Sequence, residues 1–155
     1  MIRRVFDALP FNEVANHPAV LPWVTVPGMS DIDLTGIISD RRNVALWSGL
    51  GGFLIHWLEP GVYEAHSMFP PEARGAHAMQ AAREGMEYMF GETDCETLMA
   101  RCPKGNIAVL AFTRALRFEF DRTEPKAWPT VRGNVDQRWF RMTRDRWIEE
   151  NARCQ

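Results

Sequence analysis

The segment Val62–Phe90, VYEAHSMFPPEARGAHAMQAAREGMEYMF, contains the change of pattern that decides the fold. Its first part, Val62–Phe69, is bounded by a Pro-Gly turn and a Pro-Pro pair, and it predicts a strand. From Ala76 to Phe90 the residues predict a helix, because small and apolar side chains recur at helical spacing: Ala78, Ala81, Ala82, Met86 and Met89. Gly91 is expected to cap that helix at its C-terminus. A strand, a polar loop and a long helix therefore follow one another directly.

Strands are also predicted on both sides of this segment. Asn43–Trp47 and Phe53–Leu58 precede it, and the short glycine-rich connections between them predict a three-stranded antiparallel meander. Thr97–Ala100 follows it as a short strand. A strand–helix–strand step is a crossover connection, so the strands before and after the helix are expected to be parallel neighbours or near neighbours.

The remaining elements are predicted from caps and breaks. Near the N-terminus, Asn12–Ala15 is expected to begin a helix with Asn12 as its cap, and Asp31–Ile38 is either a short helix or a loop. Asn106 is expected to cap a helix that runs to about Leu116. The later elements are a strand, a long polar connection, a strand and a terminal helix: Phe118–Phe120, Asp121–Val135, Gln137–Met142, and the helix capped by Thr143. This order predicts an α/β fold with a mixed, mostly antiparallel central sheet and helices on both faces.

Composition limits the class of protein. The chain has 155 residues, of which 46% are apolar and 25% charged, and we expect residues 1–155 to form a single domain. No apolar run reaches the length that would span a membrane. Three cysteines without a CxxC pair, Cys95, Cys102 and Cys154, are typical of reduced thiols in a cytoplasmic protein, and no metal site is expected.

Bulk charge does not favour nucleic acid as a partner. The net charge is −2. Arginines are frequent near the C-terminus, but acidic residues are interleaved with them, which is typical of a solvated face. A nucleic-acid-binding role would therefore rest on those arginines alone.

The central segment resembles the GNAT superfamily of acyl-CoA-dependent N-acetyltransferases. Arg74-Gly75 lies where that family has its phosphate loop, between a strand and the start of the longest helix. Asn106 and Phe118 match the family's Asn, helix and Gly-Phe pattern, and Glu64 and His66 lie where it often keeps a general base. The segment His66–Gly75 is closest to a phage-encoded branch.

The resemblance implies acetyl-CoA as co-substrate and a primary amine, on a small molecule or a protein, as acceptor. The residues expected to bind acetyl-CoA are Met68, Phe69, Arg74, Gly75, Ala76, His77, Ala78 and Asn106. A loop that leads into a helix N-terminus offers free N–H groups to a pyrophosphate. An amine must lose a proton before it attacks a thioester, and His66, or Glu64 through a water molecule, is expected to take that proton. The two side chains share one face of a strand.

Several positions depart from the family pattern. His77 and Met79 replace glycine or alanine in the loop, and Arg117 replaces the glycine before Phe118. Thr113 stands where many members have the tyrosine that protonates the leaving thiolate, so it is expected to be at most a weak donor. The alternative function is therefore a non-catalytic protein on the same fold, such as a phage virion or assembly component. A homodimer is compatible with either function, and a phage origin would place the protein in the host cytoplasm or the virion.

Overall fold

The computed structural model describes residues 1–153, which form seven strands and six helices in this range. The strands are β1 (Arg3–Val5), β2 (Val44–Trp47), β3 (Gly52–Glu59), β4 (Val62–Met68), β5 (Thr97–Pro103), β6 (Glu119–Thr130) and β7 (Gly133–Thr143). The helices are α1 (Leu9–Ala15), α2 (Leu21–Val24), α3 (Thr35–Ser39), α4 (Ala76–Glu92), α5 (Ile107–Ala115) and α6 (Arg144–Arg153). A turn of 3-10 helix, Pro71–Ala73, joins β4 to α4. Cys154 lies outside the described residues.

The seven strands form one sheet in the order β1-β2-β3-β4-β5-β7-β6. Strands β4 and β5 are parallel, and every other neighbouring pair is antiparallel. The crossover through α4 joins the parallel pair, so the expected parallel neighbours and the mixed sheet are confirmed. Within residues 1–153 no helix is long and apolar enough to cross a membrane.

Alternating residues of the sheet pack against helices on opposite faces. Phe53 and Ile55 of β3 belong to a core cluster with the predicted apolar face of α4, all of which is buried. Leu54 of β3 and Met68 of β4 belong to a second cluster with α1 and α3. Because strand side chains alternate between faces, His66, which pairs with Leu54, lies on the side of α1.

The parallel strands β4 and β5 separate soon after they meet. Pairing between them covers only Val62–Glu64 and Thr97–Met99. Beyond that point β4 stays paired with β3 as far as Met68, and β5 stays paired with β7 as far as Pro103. The edge of β4 from Ala65 to Met68 therefore has no strand partner on the side of β5 among the described residues.

The predicted polar connection Asp121–Val135 is wrong. These residues form most of β6, the tight turn at its end and the start of β7, so the two strands make a long hairpin. Pro125 and Pro129 are tolerated because β6 is the edge strand, where a missing N–H breaks no interstrand bond on the outer side. The register of the hairpin shifts between Glu124 and Trp128, around the first of these prolines.

Two predicted caps are also wrong, whereas those at Asn106 and Thr143 are confirmed. Asn12 lies inside α1, and its side chain accepts from the N–H of Leu34 at 2.8 Å. Gly91 lies inside α4, which continues to Glu92. The guanidinium of Arg144 donates instead to the carbonyl of Phe90 near the end of α4. Asn106 accepts from Val109 N–H at 3.2 Å, and Thr143 accepts from Arg146 N–H at 3.2 Å.

Arg117 occupies a backbone conformation that favours glycine. Helix α5 ends at Ala115, its C-cap is Leu116, and Arg117 follows with φ +63°. Helices commonly end in this left-handed conformation, usually at a glycine. Arg117 therefore replaces the glycine of the Gly-Phe pattern and still adopts a backbone conformation typical of glycine before β6.

Arg117→Gly should raise the free energy of unfolding by about 0.5–1 kcal/mol, because glycine adopts a positive φ without steric cost. The variant loses only the ion pair of the exposed Arg117 side chain with Glu150, at 3.3 Å, and Glu150 keeps Arg146 and Arg153 as partners. The expected rise in Tm is roughly 1–4 °C, measurable by scanning calorimetry. Arg117→Ala is the control, because it removes the same side chain and keeps the unfavourable φ. An equal rise in both variants would contradict this explanation.

Candidate functional site

A cavity of about 880 Å³ opens where β4 and β5 separate. Its lining comes from both faces of the sheet. Ala65 of β4 and Phe69, which follows β4, line it on the side of α4, and His66 lines it on the side of α1. Helix α5 and the first turns of α4 close one half, and α2 closes the other. The opening in the sheet therefore connects two chemically different compartments.

The first compartment contains the N-terminus of α4. Gly75 precedes this helix with φ +76° and ψ −128°, a conformation that residues with a Cβ rarely adopt. No side chain caps the helix at this position. The first-turn N–H groups have no acceptor within the helix and carry the positive end of its dipole. Arg74, Gly75, Ala76 and Ala78 line the cavity here, so this end of the cavity suits a pyrophosphate.

Two of the side chains predicted to bind phosphate already form hydrogen bonds within the protein. The guanidinium of Arg74 donates to the carbonyls of Ala19 at 3.1 Å and Phe69 at 3.2 Å, although the residue lines the cavity. The His77 ring lies 2.8 Å from Ser48 Oγ, and His77 is not part of the cavity lining. A phosphate contact by the His77 side chain would require the ring to leave Ser48 and stays a prediction.

Of the remaining residues predicted to bind acetyl-CoA, two line the cavity and one does not. Phe69 and Asn106 line the cavity, and Asn106 also caps α5. Met68 is buried with the residues of α1 and α3, so its side chain cannot reach the first compartment and only its backbone faces the open edge.

Thr113 lines the cavity on the inner face of α5 and is almost fully buried. Its Oγ1 lies 3.5 Å from the Cys102 sulfur. Burial raises the pKa of the Cys102 thiol, so this contact joins two neutral groups. Among residues 1–153 no tyrosine lines the cavity, and the hydroxyl groups that do are those of Ser67 and Thr113. Cys95 and Cys102 are free thiols, as the sequence predicts, and both are buried.

The second compartment contains a cluster of three ionisable side chains. Glu64 is buried, and one of its oxygens, Oε1, accepts from Nε of Arg101 and lies 3.3 Å from Nε2 of His66. Burial lowers the pKa of His66; the Glu64 carboxylate opposes this change, and Arg101 and His56 add to it. The imidazole is 33% exposed and lines the cavity, and its lowered pKa favours the neutral form of the ring.

Sequence reasoning missed Arg101 because the predicted strand ended at Ala100. Arg101 lies two residues beyond Met99, the partner of Glu64, on the same face of the sheet. Its guanidinium carbon lies 5.1 Å from the ring centre of Trp139 and 5.9 Å from that of Trp128. Trp128 lines the cavity from the β6–β7 hairpin, and Trp23 lines it from α2, which the sequence did not predict.

Comparisons with solved structures give the same fold at low sequence identity. Spermidine N-acetyltransferase from Vibrio cholerae in complex with CoA and spermine has a TM-score of 0.80 and 12% identity, and the match covers 96% of this chain and 97% of that one. A GNAT-family acetyltransferase from Bacillus anthracis has a TM-score of 0.73 and 16% identity over 93% and 94% of the two chains. A probable GNAT-family acetyltransferase from Chromobacterium violaceum has a TM-score of 0.71 and 21% identity over 95% and 84%.

No protein-family model and no curated protein matches the chain in sequence. These likenesses give no support to the phage-encoded branch, which stays a prediction. Each match extends over more than nine tenths of this chain, so the likeness concerns the fold as a whole. The chain has the fold of the GNAT N-acetyltransferases.

Proposed function

We propose that this protein is an N-acetyltransferase that moves the acetyl group of acetyl-CoA to a primary amine by direct attack. One observation carries the proposal: a single opening in the sheet joins the uncapped N-terminus of α4 to the imidazole of His66 on the opposite face. An anion-binding helix end and a base on the two sides of one opening are what acyl transfer between two substrates requires. The shared fold supports the same chemistry.

The donor would occupy the first compartment. The Arg74–Ala78 backbone would bind the pyrophosphate. The open backbone edge at Met68, the last residue of β4, and at the following Phe69 would hydrogen-bond the pantetheine amides as a neighbouring strand would. Asn106 lines the same wall. Acetyl-CoA fits this half because it combines a pyrophosphate with an extended arm that bears amides.

His66 would act as the general base from the second compartment. An imidazole that donates Nε2–H to Glu64 carries its lone pair on Nδ1, and this nitrogen would take the proton of the attacking amine. A nitrogen–carbon bond then forms at the thioester carbonyl, the carbon–sulfur bond breaks, and the thiolate leaves with both electrons. Glu64 is paired with Arg101, so we assign it to holding His66 and not to taking the proton itself.

No strong acid in the described cavity lining would protonate the leaving thiolate. Thr113 is a poor acid, and its hydroxyl already contacts Cys102. A free thiol has a pKa of about 8.5, so the thiolate leaves tolerably well without a donor. The absence of a tyrosine from the lining described above is what favours the alternative, a non-catalytic protein on this fold, and the first experiment below separates the two functions.

Acetyl-CoA should raise the Tm of the protein. At 100 times its Kd a ligand adds about 2.7 kcal/mol to the free energy of unfolding, which corresponds to roughly 5–10 °C for a chain of this size. Gly75→Ala should reduce this rise, because it strains the loop that would hold the pyrophosphate. Gly28→Ala is the matched control, with φ +93°, open space for a Cβ and a position outside the cavity lining. No rise at millimolar acetyl-CoA would favour the non-catalytic alternative.

His66→Ala should lower kcat/KM at pH 8 at least about tenfold, because it removes the proton acceptor. In the parent protein kcat/KM should fall on the acid side with an apparent pKa below about 6.5, because burial favours the neutral imidazole in the free enzyme. His56→Ala is the control: His56 lies on the neighbouring strand outside the lining, so its loss should preserve kcat/KM at pH 8 and only raise the apparent pKa of the acid limb. An unchanged acid limb in His66→Ala would assign the base to another group.

Thr113→Val should lower kcat no more than about threefold, because the thiolate needs little assistance. Valine preserves the shape of the buried side chain and removes only the hydroxyl. Steady-state release of CoA, followed with a thiol reagent, measures the effect, and a melting curve checks the fold. A loss of tenfold or more with an unchanged Tm would make Thr113 the proton donor.

A further inference from the structure

The charge of the cavity lining is unusual for a protein that would bind an amine. Within residues 1–153 no aspartate or glutamate lines the cavity. The charged residues that do are Arg74, at the α4 end, and Arg101, at the His66 end. The nearby carboxylate of Glu64 is buried and paired with Arg101. A polycationic acceptor would meet no free carboxylate in this lining.

Arg101 keeps hydrogen-bonding capacity that the protein does not use. Its Nε donates to Glu64, and no acceptor among the described residues bonds its two terminal nitrogens. The side chain is 31% exposed and lies against the rings of Trp128 and Trp139. A guanidinium held by a carboxylate on one side and by indoles around it presents its remaining N–H groups in a fixed direction. Such a fork binds carboxylates well.

Arg101 and His66 lie on opposite sides of the opening in the sheet. Glu64 pairs with Met99, so continued pairing would have placed His66 directly opposite Arg101. Both side chains contact the same Glu64 oxygen, which keeps them close together. An acceptor whose amine lies at His66 would therefore reach Arg101 with a group only a few bonds from that amine.

We infer that the acceptor is an amino acid or a related amino-carboxylate with an apolar side chain, whose carboxylate binds the terminal nitrogens of Arg101. The apolar part of this acceptor would lie against Trp128, which packs beside Arg101, and against Val20 and Trp23 of the cavity lining. The inference rests on the proposed acetyl transfer and names the class of its acceptor. Arg101 would be a specificity residue that orients the amine toward His66.

The test compares acceptors that differ only in the carboxylate. The parent protein is supplied with acetyl-CoA and either L-phenylalanine, 2-phenylethylamine, L-tryptophan or tryptamine, with spermidine as a polycation. Expected values of kcat/KM are at least tenfold higher for each amino acid than for its decarboxylated analogue, and lowest for spermidine. Equal values for the members of each pair, or a preference for spermidine, would overturn the inference.

The variant Arg101→Lys tests whether this residue causes the preference for an amino acid over its decarboxylated analogue. Lysine keeps a charge that can pair with Glu64 but lacks the planar fork, so the ratio of kcat/KM between phenylalanine and phenylethylamine should fall at least tenfold. Arg122→Lys is the matched control: Arg122 also lies over Trp139, at 4.9 Å, but is not part of the cavity lining. An unchanged ratio in Arg101→Lys, or an equal fall in Arg122→Lys, would contradict the assignment.

The experiments distinguish an error in the acceptor class from an error in the proposed function. A protein whose Tm does not respond to acetyl-CoA has no donor site, and both proposals fall. A protein that binds acetyl-CoA but acetylates none of the four aromatic compounds, or acetylates spermidine faster, keeps its donor site and loses this acceptor. The comparison of acceptors uses the parent protein, so it holds even if an Arg101 variant folds poorly.

Discussion

The parallel contact between β4 and β5 is short, and the site depends on that fact. Three residue pairs hold the two strands together before they separate. Each strand then keeps its other neighbour, β3 or β7, so the sheet remains continuous at one end and open at the other. Longer pairing would bring His66 against Arg101 and close the cavity. Shorter pairing would leave few hydrogen bonds to join the two halves of the sheet.

The opening also explains where charge can be buried. Glu64 is the last residue of β4 that pairs with β5, and a buried carboxylate is costly unless a partner satisfies it. Arg101 and His66 provide those partners because the strands have just begun to diverge there, which leaves space for two large side chains around one oxygen. Removing either member of the Glu64–Arg101 pair would leave an uncompensated charge, so a charge-preserving variant is the informative one.

The sequence predicted what local patterns encode. The strand Val62–Phe69 and the helix that follows it were predicted correctly because apolar spacing and glycine and proline breaks are local signals. Strand β1 was missed because its three residues, Arg3–Val5, show no periodicity and become a strand through pairing with the distant β2. The β6–β7 hairpin was missed because prolines are normally evidence against a strand, and only its position at the edge permits them. Arg101 could not be placed, because the register between parallel strands is set by packing across the whole crossover.

The two edges of the sheet are each protected against further pairing. On one side β1 is only three residues long. On the other side β6 carries two prolines, at positions 125 and 129, and the charged residues Asp121, Arg122, Glu124 and Lys126. Short strands, prolines and charges are the means by which natural sheets avoid edge-to-edge aggregation. The prolines that argued against a strand in the sequence thus have a physical role. They allow a long hairpin at the edge of the sheet whose outer strand is a poor partner for pairing with another chain.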